Sequence, residues 1–220
     1  MSRFSSSIQL CSGKAELYSF GFMRGYGCRT MGKHRFDPVH AGKLDDPRRL
    51  GSEPPGRILD ALGVTSARVV AEIGVGSGYY TSHLSKIIVS QGVIVACDVS
   101  EKMLEILSRK NLNQTLPVLM EELHLPLKDK SADLVLAANV LHEFDDPLTM
   151  LREVFRVVQP GKTVGIVDWK KTAMDFGPPL RERLEVAEIE SLLTQSGFEF
   201  IEIFDIVPYH NVLSATRGSG

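Results

Sequence analysis

The chain has 220 residues, of which 43% are hydrophobic and 24% are charged, and its formal net charge at pH 7 is −2. This length allows one domain with a sizeable core, and the composition is that of an ordinary globular protein. The charge argues against a generally basic nucleic-acid binder, and no apolar run approaches the length of a membrane span.

The first thirty residues differ from the rest of the chain. They are rich in Ser and Gly, carry four basic residues against Glu16 alone, and show no sustained periodicity. A leader of this kind resembles a transit peptide in composition but lacks a clean amphipathic helix. We therefore predict a disordered leader over residues 1–30, with Met31 starting the working protein, a helical lid segment over residues 31–66, and a domain over residues 67–216.

From Arg68 onward, strand and helix patterns alternate. Near-continuous apolar runs between amphipathic segments predict a mainly parallel sheet covered by helices on both faces. Two runs that flank Pro208 predict a terminal antiparallel hairpin, so we expect an α/β, doubly wound, Rossmann-like fold with seven strands. The predicted strands are, in order, "RVVAEI", "VIVAC", "PVLM", "ADLVLAAN", "TVGIVDW", "FEFIEIFDIV" and "HNVLSAT".

Four helices are predicted between these strands. The third is well delimited, because Asp146 can cap it, Pro147 fits its first position, and Pro160-Gly161 ends it. The fourth covers residues 185–195 and ends at Gly197. The apolar faces of the first three comprise Tyr80, Leu84, Ile87 and Ile88, then Met103, Leu104 and Leu107, and then Leu148, Leu151, Phe155 and Val158.

Ligands of such sheets bind beyond the carboxyl ends of the strands, near the point where the strand order reverses. The side chains that directly follow the predicted strands are therefore the candidates for a functional site. They are Glu72 to Gly78, Asp98, Glu121, Glu122, Asn139 to Glu143, Asp168 and Trp169.

The stretch "EIGVGSG" places three glycines at alternate positions between the first predicted strand and helix. A P-loop is excluded because no Gly-Lys-Ser/Thr follows, and the dinucleotide fingerprint GxGxxG fails because residue 79 is Tyr. Glu72 would repel a pyrophosphate here, whereas a ligand with a positive centre would meet no such penalty. Amides at the helix start, near residues 79–81, could in addition receive a carboxylate.

Asp98 ends the second predicted strand, twenty residues after Gly78. A carboxylate at this place can accept hydrogen bonds from both hydroxyls of a ribose. Alternatively, Asp98 caps the helix that begins near Ser100, since Asp98 and Glu101 have the spacing of a capping box. Met103, one turn into this helix, could cover an adenine face or simply fill the core.

Five segments in order resemble the successive motifs of class I S-adenosylmethionine-dependent methyltransferases. The resemblance is to the small ubiquinone/menaquinone C-methyltransferase-like and arsenite methyltransferase-like group, and it runs from about Lys33 to Tyr209. It implies S-adenosylmethionine as cofactor, a molecule with a sulfonium cation, a zwitterionic amino-acid end and a ribose with two hydroxyls. The segments are "EIGVGSG", "CDVSEKML", "EELHLPL", "ADLVLAANVLHEFDDP" and "LREVFRVVQPGKTVGIVDW".

The resemblance implies a role for each candidate near the cofactor. Glu121 stands where the family usually has Asp, and its extra methylene puts that contact in doubt. Glu121 and Glu122 could instead form a solvated acidic loop, and Asn139 could cap the following turn. The implied contacts are the methionine portion for Glu72, Gly74, Gly76 and Gly78, the ribose for Asp98, the adenine for Val99 and Met103, the adenine amino group for Glu121 and Glu122, and the amino end for Asn139.

Methyl transfer from a sulfonium is an in-line displacement, so the protein mainly has to align donor and acceptor. A base is needed only if the acceptor must lose a proton, and His142, three residues after Asn139, is the candidate. The alternative for His142 is a structural hydrogen bond at the start of the next helix. Asp168 and Trp169 could form the opposite wall of the acceptor pocket, although Trp169 could equally be packing.

Segments 34–50 and 170–183 are predicted as lids, with Asp46-Pro47 opening a short helix over the cofactor. No metal site is expected, because His34, Asp37 and His40 complete no metal-ligand motif and the three cysteines are widely spaced. Cys97 ends a buried strand, which argues against arsenic methylation, and no apolar insertion suggests a prenylated quinone.

The leading hypothesis is a cytoplasmic S-adenosylmethionine-dependent methyltransferase that acts on a small molecule, as a monomer or homodimer and without a nucleic-acid partner. A small acceptor is favoured because the chain has no added recognition domain and only a modest charge. The alternatives are an NAD-type oxidoreductase on the same architecture, and a non-catalytic cofactor-binding protein with a regulatory or interaction role.

Overall fold

The computed structural model describes residues 36–219. The predictions for the leader, for Met31 and for His34 lie outside the described residues. Seven strands form a single sheet, as predicted. They are β1 Val69–Ile73, β2 Val93–Asp98, β3 Thr115–Leu119, β4 Ala132–Ala138, β5 Val158–Trp169, β6 Phe198–Ile203 and β7 His210–Arg217.

Six α-helices and four short 3-10 helices connect the strands in the described part of the chain. Within it, no helix has the length and apolar character needed to cross a bilayer. The α-helices are α1 Arg49–Ser52, α2 Pro55–Ala61, α3 Thr81–Ile87, α4 Glu101–Ser108, α5 Pro147–Val157 and α6 Val186–Gln195, and the 3-10 helices are Pro38–Lys43, Val64–Ser66, Leu141–Glu143 and Leu180–Glu182.

The strand order is β3-β2-β1-β4-β5-β7-β6. Strands β1 to β5 pair in parallel, whereas β7 pairs antiparallel with both β5 and β6. This arrangement confirms the doubly wound fold with a terminal hairpin. The strand order reverses between β1 and β4, so the carboxyl ends of these two strands border the crevice in which such sheets bind ligands.

Alternate residues of the strands pack into two apolar cores, one on each face of the sheet. One core joins Ile73 of β1 with Met150 of α5 and also includes α6. The other joins Val70 of β1 with Leu84 of α3 and includes α2 and α4. Each fully buried aliphatic side chain of this kind stabilises the fold by about 1.5–3 kcal/mol, so the cores hold the strand ends in fixed positions.

The end of α5 differs from the prediction. Asp146 caps the helix by accepting from the Thr149 N–H at 3.0 Å, as expected, but α5 ends at Val157 and β5 begins at once. Val158 pairs with Ala132 of β4, so Pro160-Gly161 lies inside β5. The reason is that this segment offers two overlapping apolar faces, and the predicted one, which ended at Val158, is not the one that packs. The buried face of α5 consists of Met150, Leu151, Val154 and Val157.

Residues 36–54, which we call the strap, cross the carboxyl ends of the strands. The strap contains the 3-10 helix Pro38–Lys43 and α1. Helix α1 starts at Arg49, shortly after the Asp46-Pro47 pair that was predicted to open it. Asp46 accepts from the Arg48 N–H at 2.9 Å, so it closes the turn that precedes the helix.

Candidate functional site

The glycine corner lies at the carboxyl end of β1, where the strand order reverses. Gly74, Gly76 and Gly78 all have positive φ, at 65°, 52° and 90°. A Cβ at Gly74 would stand 2.5 Å from Val140 Cγ2, so the protein's own packing requires this glycine. Among the described residues, the atom within 4 Å of a Cβ at Gly76 would be Leu44 Cδ1 of the strap, at 3.0 Å. Gly76 is therefore the glycine that can let a ligand approach the backbone once Leu44 turns aside.

Asp98 joins the end of β2 to this corner. One carboxylate oxygen accepts from the Gly76 N–H at 2.9 Å, and the other accepts from the Ser100 N–H at 2.8 Å. The helix cap is Ser100, whose hydroxyl accepts from the Met103 N–H. The capping alternative for Asp98 was thus wrong, because the chain between β2 and α4 turns through an Asp98–Ser100 hydrogen bond and starts the helix one residue later.

Three acidic side chains around the corner are desolvated. Burial raises the pKa of Glu72 to about 8 and the pKa of Glu143 to about 7, and it also raises the pKa of Asp98. The negative charge of Asp98 pushes the pKa of both glutamates further up. A positively charged ligand would favour the ionised form of each acid, so the corner suits a cation better than a phosphate.

Two buried oxygens at the carboxyl ends of β1 and β4 fit the ammonium group of S-adenosylmethionine. Within residues 36–219, neither Glu72 Oε2 nor Asn139 Oδ1 has a hydrogen-bond partner. A buried acceptor without a partner costs about 1–3 kcal/mol, and an ammonium group supplies three donors. With Asp98 available for ribose hydroxyls, the residues present fit this cofactor.

His142 and Asp168 form a buried pair at the carboxyl ends of β4 and β5. His142 lies in the 3-10 helix after β4, and Asp168 lies near the end of the neighbouring strand β5. The Asp168 carboxylate accepts from His142 Nδ1 at 2.6 Å and from the His142 backbone N–H at 3.0 Å. The side chains are 4% and 0% exposed. Because a neutral imidazole has a single N–H, donation from Nδ1 makes Nε2 the basic nitrogen.

Trp169 is packed against other rings at the end of β5. Its ring centroid lies 4.3 Å from that of His210 and 6.0 Å from that of Phe176. A Cβ at Gly177 would stand 2.9 Å from the indole, so the 170–183 segment also covers Trp169. The packing alternative is therefore well supported for Trp169, and Asp168 faces His142 instead of open space.

The candidates for the adenine side lie in the turn before α4, in α4 itself and in the loop after β3. Val99 is exposed beside Asp98, whereas Met103 is a buried residue of α4. Glu121 is exposed and forms an isolated bridge with His124, and Glu122 is half-buried. The structure thus brings Glu72, the glycines, Asp98 and Asn139 together, and it leaves Glu121 at the surface.

Sequence reasoning missed Glu53, which the strap inserts beside the corner. Its buried carboxylate accepts from the Tyr80 hydroxyl at 2.8 Å, from Asn139 Nδ2 at 2.6 Å and from Arg49 Nη2 at 2.8 Å. Its backbone carbonyl accepts from the Tyr79 hydroxyl at 2.8 Å. The Arg49–Glu53 spacing of four residues was the available signal for an ion pair on one helix face.

His210 was also missed, and no motif pointed to it. It lies at the start of β7, opposite Trp169, and is 1% exposed. Its Nε2 is 3.6 Å from Glu53 Oε2, and burial lowers the pKa of the His210 imidazole. Among the described residues, no three His, Cys, Asp or Glu side chains are grouped as a metal site requires.

Comparison with known proteins identifies similar chains. A methyltransferase domain family matches residues 71–166, inside the predicted domain at 67–216, whose limits stay a prediction. The crystal structure of a SAM-dependent methyltransferase from Aquifex aeolicus is similar to this chain with a TM-score of 0.79 and 32% identity. That similarity covers 83% of this chain and 100% of the other.

Curated relatives are similar over a shorter part. An uncharacterised methyltransferase of Mycobacterium bovis is 33% identical over 147 residues, which is 61% of this chain and 58% of the relative. A demethylmenaquinone methyltransferase of Staphylococcus aureus is 32% identical over 110 residues, 49% of this chain and 46% of the relative. The chain therefore spans less than two thirds of the length of these curated relatives.

Proposed function

The chain belongs to the class I S-adenosylmethionine-dependent methyltransferases, and on this premise we propose that it transfers the methyl group of S-adenosylmethionine to a small-molecule acceptor. The observation that carries the proposal is the set of desolvated acids, Glu72 and Asp98, around the glycine corner at the strand-order reversal. A pyrophosphate would raise the free-energy cost of ionising these buried acids, whereas a cationic nucleoside would lower it.

Each residue of the corner has a task in this proposal. Glu72 and Asn139 would receive the ammonium group through their unpartnered oxygens, and the Gly76 backbone would hold the methionine portion. Asp98 would accept from the ribose hydroxyls through lone pairs of its carboxylate that the Gly76 and Ser100 N–H groups leave unused. When bound, the cofactor supplies a methyl group on a sulfonium, which is transferred in one displacement.

His142 acts as the base in this proposal. Asp168 holds the imidazole in the tautomer with a basic Nε2 and stabilises the imidazolium that forms when Nε2 takes a proton. A base in this place is useful for an acceptor whose reacting atom must lose a proton, such as a hydroxyl. We propose a small acceptor because the described segments add no further recognition domain to the sheet.

Isothermal calorimetry with S-adenosylhomocysteine tests the cofactor assignment. We expect roughly micromolar binding by folded protein, and no response to NADH in a fluorescence titration. A screen of candidate acceptors with methyl-labelled S-adenosylmethionine then tests catalysis. Binding of the homocysteine product without transfer to any acceptor would favour the non-catalytic alternative, and absence of binding would contradict the proposal.

Asp98→Ala is expected to weaken S-adenosylhomocysteine binding by about 1.5–3 kcal/mol, the value for a hydrogen bond to a charged group. The matched control is Asp133→Ala. Asp133 also accepts two backbone N–H groups, from Arg68 and Val69 at 2.9 and 3.0 Å, but it does so at the opposite end of the sheet. We expect the control to lose stability and keep its affinity, and equal affinities for both variants would mean that Asp98 has only a structural role.

A further inference from the structure

We propose that Glu53 is a positioning residue for the cofactor. It orients the side-chain amide of Asn139 so that Oδ1 is presented to the ammonium group of the amino-acid end. The inference rests on the proposed function, and it assigns a specific task to a residue of the strap.

The orientation follows from what a carboxylate can do. Glu53 Oε1 lies 2.6 Å from Asn139 Nδ2 and 2.8 Å from the Tyr80 hydroxyl, and Oε2 lies 2.8 Å from Arg49 Nη2. The Glu53 carboxylate oxygens accept all three of these hydrogen bonds, so Asn139 turns its NH2 group toward Glu53. The amide oxygen then points away from Glu53, and the opposite flip would set two acceptors against each other.

The backbone of Asn139 is held in place by a hydrogen bond to β5, so the two flips of the side-chain amide are the alternatives to decide between. Asn139 has a left-handed φ of 57°, and its N–H donates to the Val167 carbonyl of β5 at 2.7 Å. In the part of the chain that the structure describes, Oδ1 is buried and receives no hydrogen bond. A buried acceptor of this kind needs a donor, and the ammonium group of the cofactor provides one.

Two ligands distinguish an orienting role of Glu53 from a purely structural one. S-adenosylhomocysteine contains both the adenosine and the amino-acid end, whereas 5′-methylthioadenosine contains only the adenosine and a methylthio group. A residue that acts through Asn139 changes the affinity for the first compound and leaves the affinity for the second unchanged. A residue that only holds the strap in place changes both.

The experiment is calorimetry of both compounds with wild type, Glu53→Ala, Asn139→Gly and the double variant. Glycine is chosen because it tolerates the positive φ at position 139. Each single variant is expected to bind S-adenosylhomocysteine about tenfold more weakly, with 5′-methylthioadenosine affinity unchanged within about twofold. The double variant is expected to bind no more weakly than Asn139→Gly, because residues that act through one another are not additive.

Glu53→Gln is the conservative control, since its amide oxygen can still accept from Asn139 Nδ2 and should restore most of the affinity. Equal losses for both compounds, additive losses in the double variant, or unchanged affinity in Glu53→Ala would each overturn the inference. If Glu53→Ala fails to fold, Glu53→Leu replaces it, because the Leu side chain fills the space but accepts no hydrogen bond from Asn139 Nδ2; the same selective loss for S-adenosylhomocysteine is expected, and an equal loss for both compounds overturns the inference. A wild type that binds neither compound would contradict the proposed function instead.

Discussion

His142→Gln is expected to lower the rate of methyl transfer about 10²–10⁴-fold, the usual contribution of a positioned general base. Gln cannot take up a proton at neutral pH, whereas His142 presents a basic Nε2 because Asp168 accepts from Nδ1. Affinity for S-adenosylhomocysteine should stay the same, since the imidazole is not assigned to the cofactor. The measurement is single-turnover transfer to the acceptor that the labelled-methyl screen identifies.

Asp168→Asn tests the same pair from the other side. Asn keeps the shape of the side chain but loses one accepting oxygen, so the tautomer of His142 is no longer fixed. We expect the methyl-transfer rate to fall less than in His142→Gln and the pH dependence of this rate to shift. His124→Gln is the control, because this imidazole is 58% exposed and pairs with Glu153. If His142→Gln retained the wild-type rate, His142 would only support the turn after β4.

Glu72→Gln is expected to remove a pH-dependent loss of stability of about 3 kcal/mol between pH 5 and pH 8. Burial raises the pKa of Glu72 from an ordinary 4.5 to about 8, so the folded protein keeps a proton that the unfolded chain releases. Wild type therefore loses free energy of unfolding as the pH rises from 4.5 to 8. Gln does not titrate and escapes this loss, while its affinity for the cationic cofactor should fall.

Urea unfolding of wild type and Glu72→Gln at pH 5 and pH 8 gives the change in the free energy of unfolding with pH for each protein. The difference between these two changes measures the effect of Glu72, because the contributions of the other titrating groups cancel. Glu105→Gln serves as control, because the Glu105 side chain is 68% exposed in α4. We expect it to follow wild type at both pH values. Parallel behaviour of Glu72→Gln and wild type would show that the Glu72 carboxyl is ionised in the folded protein and that the corner is better hydrated than its burial indicates.

The sheet could be predicted because its strands are apolar on both sides and its helices are amphipathic. Such patterns are local, and they gave β1 to β5 and the terminal hairpin in the right order. The end of α5 could not be placed in this way, since Val157 and Val158 continue the apolar pattern on both sides of the helix end. Only the pairing of Val158 with Ala132 decides where β5 begins.

The residues after the strands could be predicted as site candidates, because the fold alone places them at one edge. The residues that contact these candidates could not be predicted. Glu53 and Arg49 reach the corner only because the strap folds back across it, and His210 meets Trp169 only through the register of a hairpin. The Asp168–His142 hydrogen bond likewise joins the end of β5 to the 3-10 helix after β4, and α5 separates these two elements in the sequence.

The strap has a kinetic consequence. It lies on the corner through Leu44 against Gly76, through Asp45, which accepts from the Ser77 hydroxyl at 2.9 Å, and through Glu53. A nucleoside that enters or leaves the corner under the proposed function would have to break these contacts. Under the proposed function we therefore expect departure of the spent donor, and not the displacement, to limit turnover. Mixing the protein with excess substrates should then produce a rapid burst equal to one methyl per site before a slower steady state.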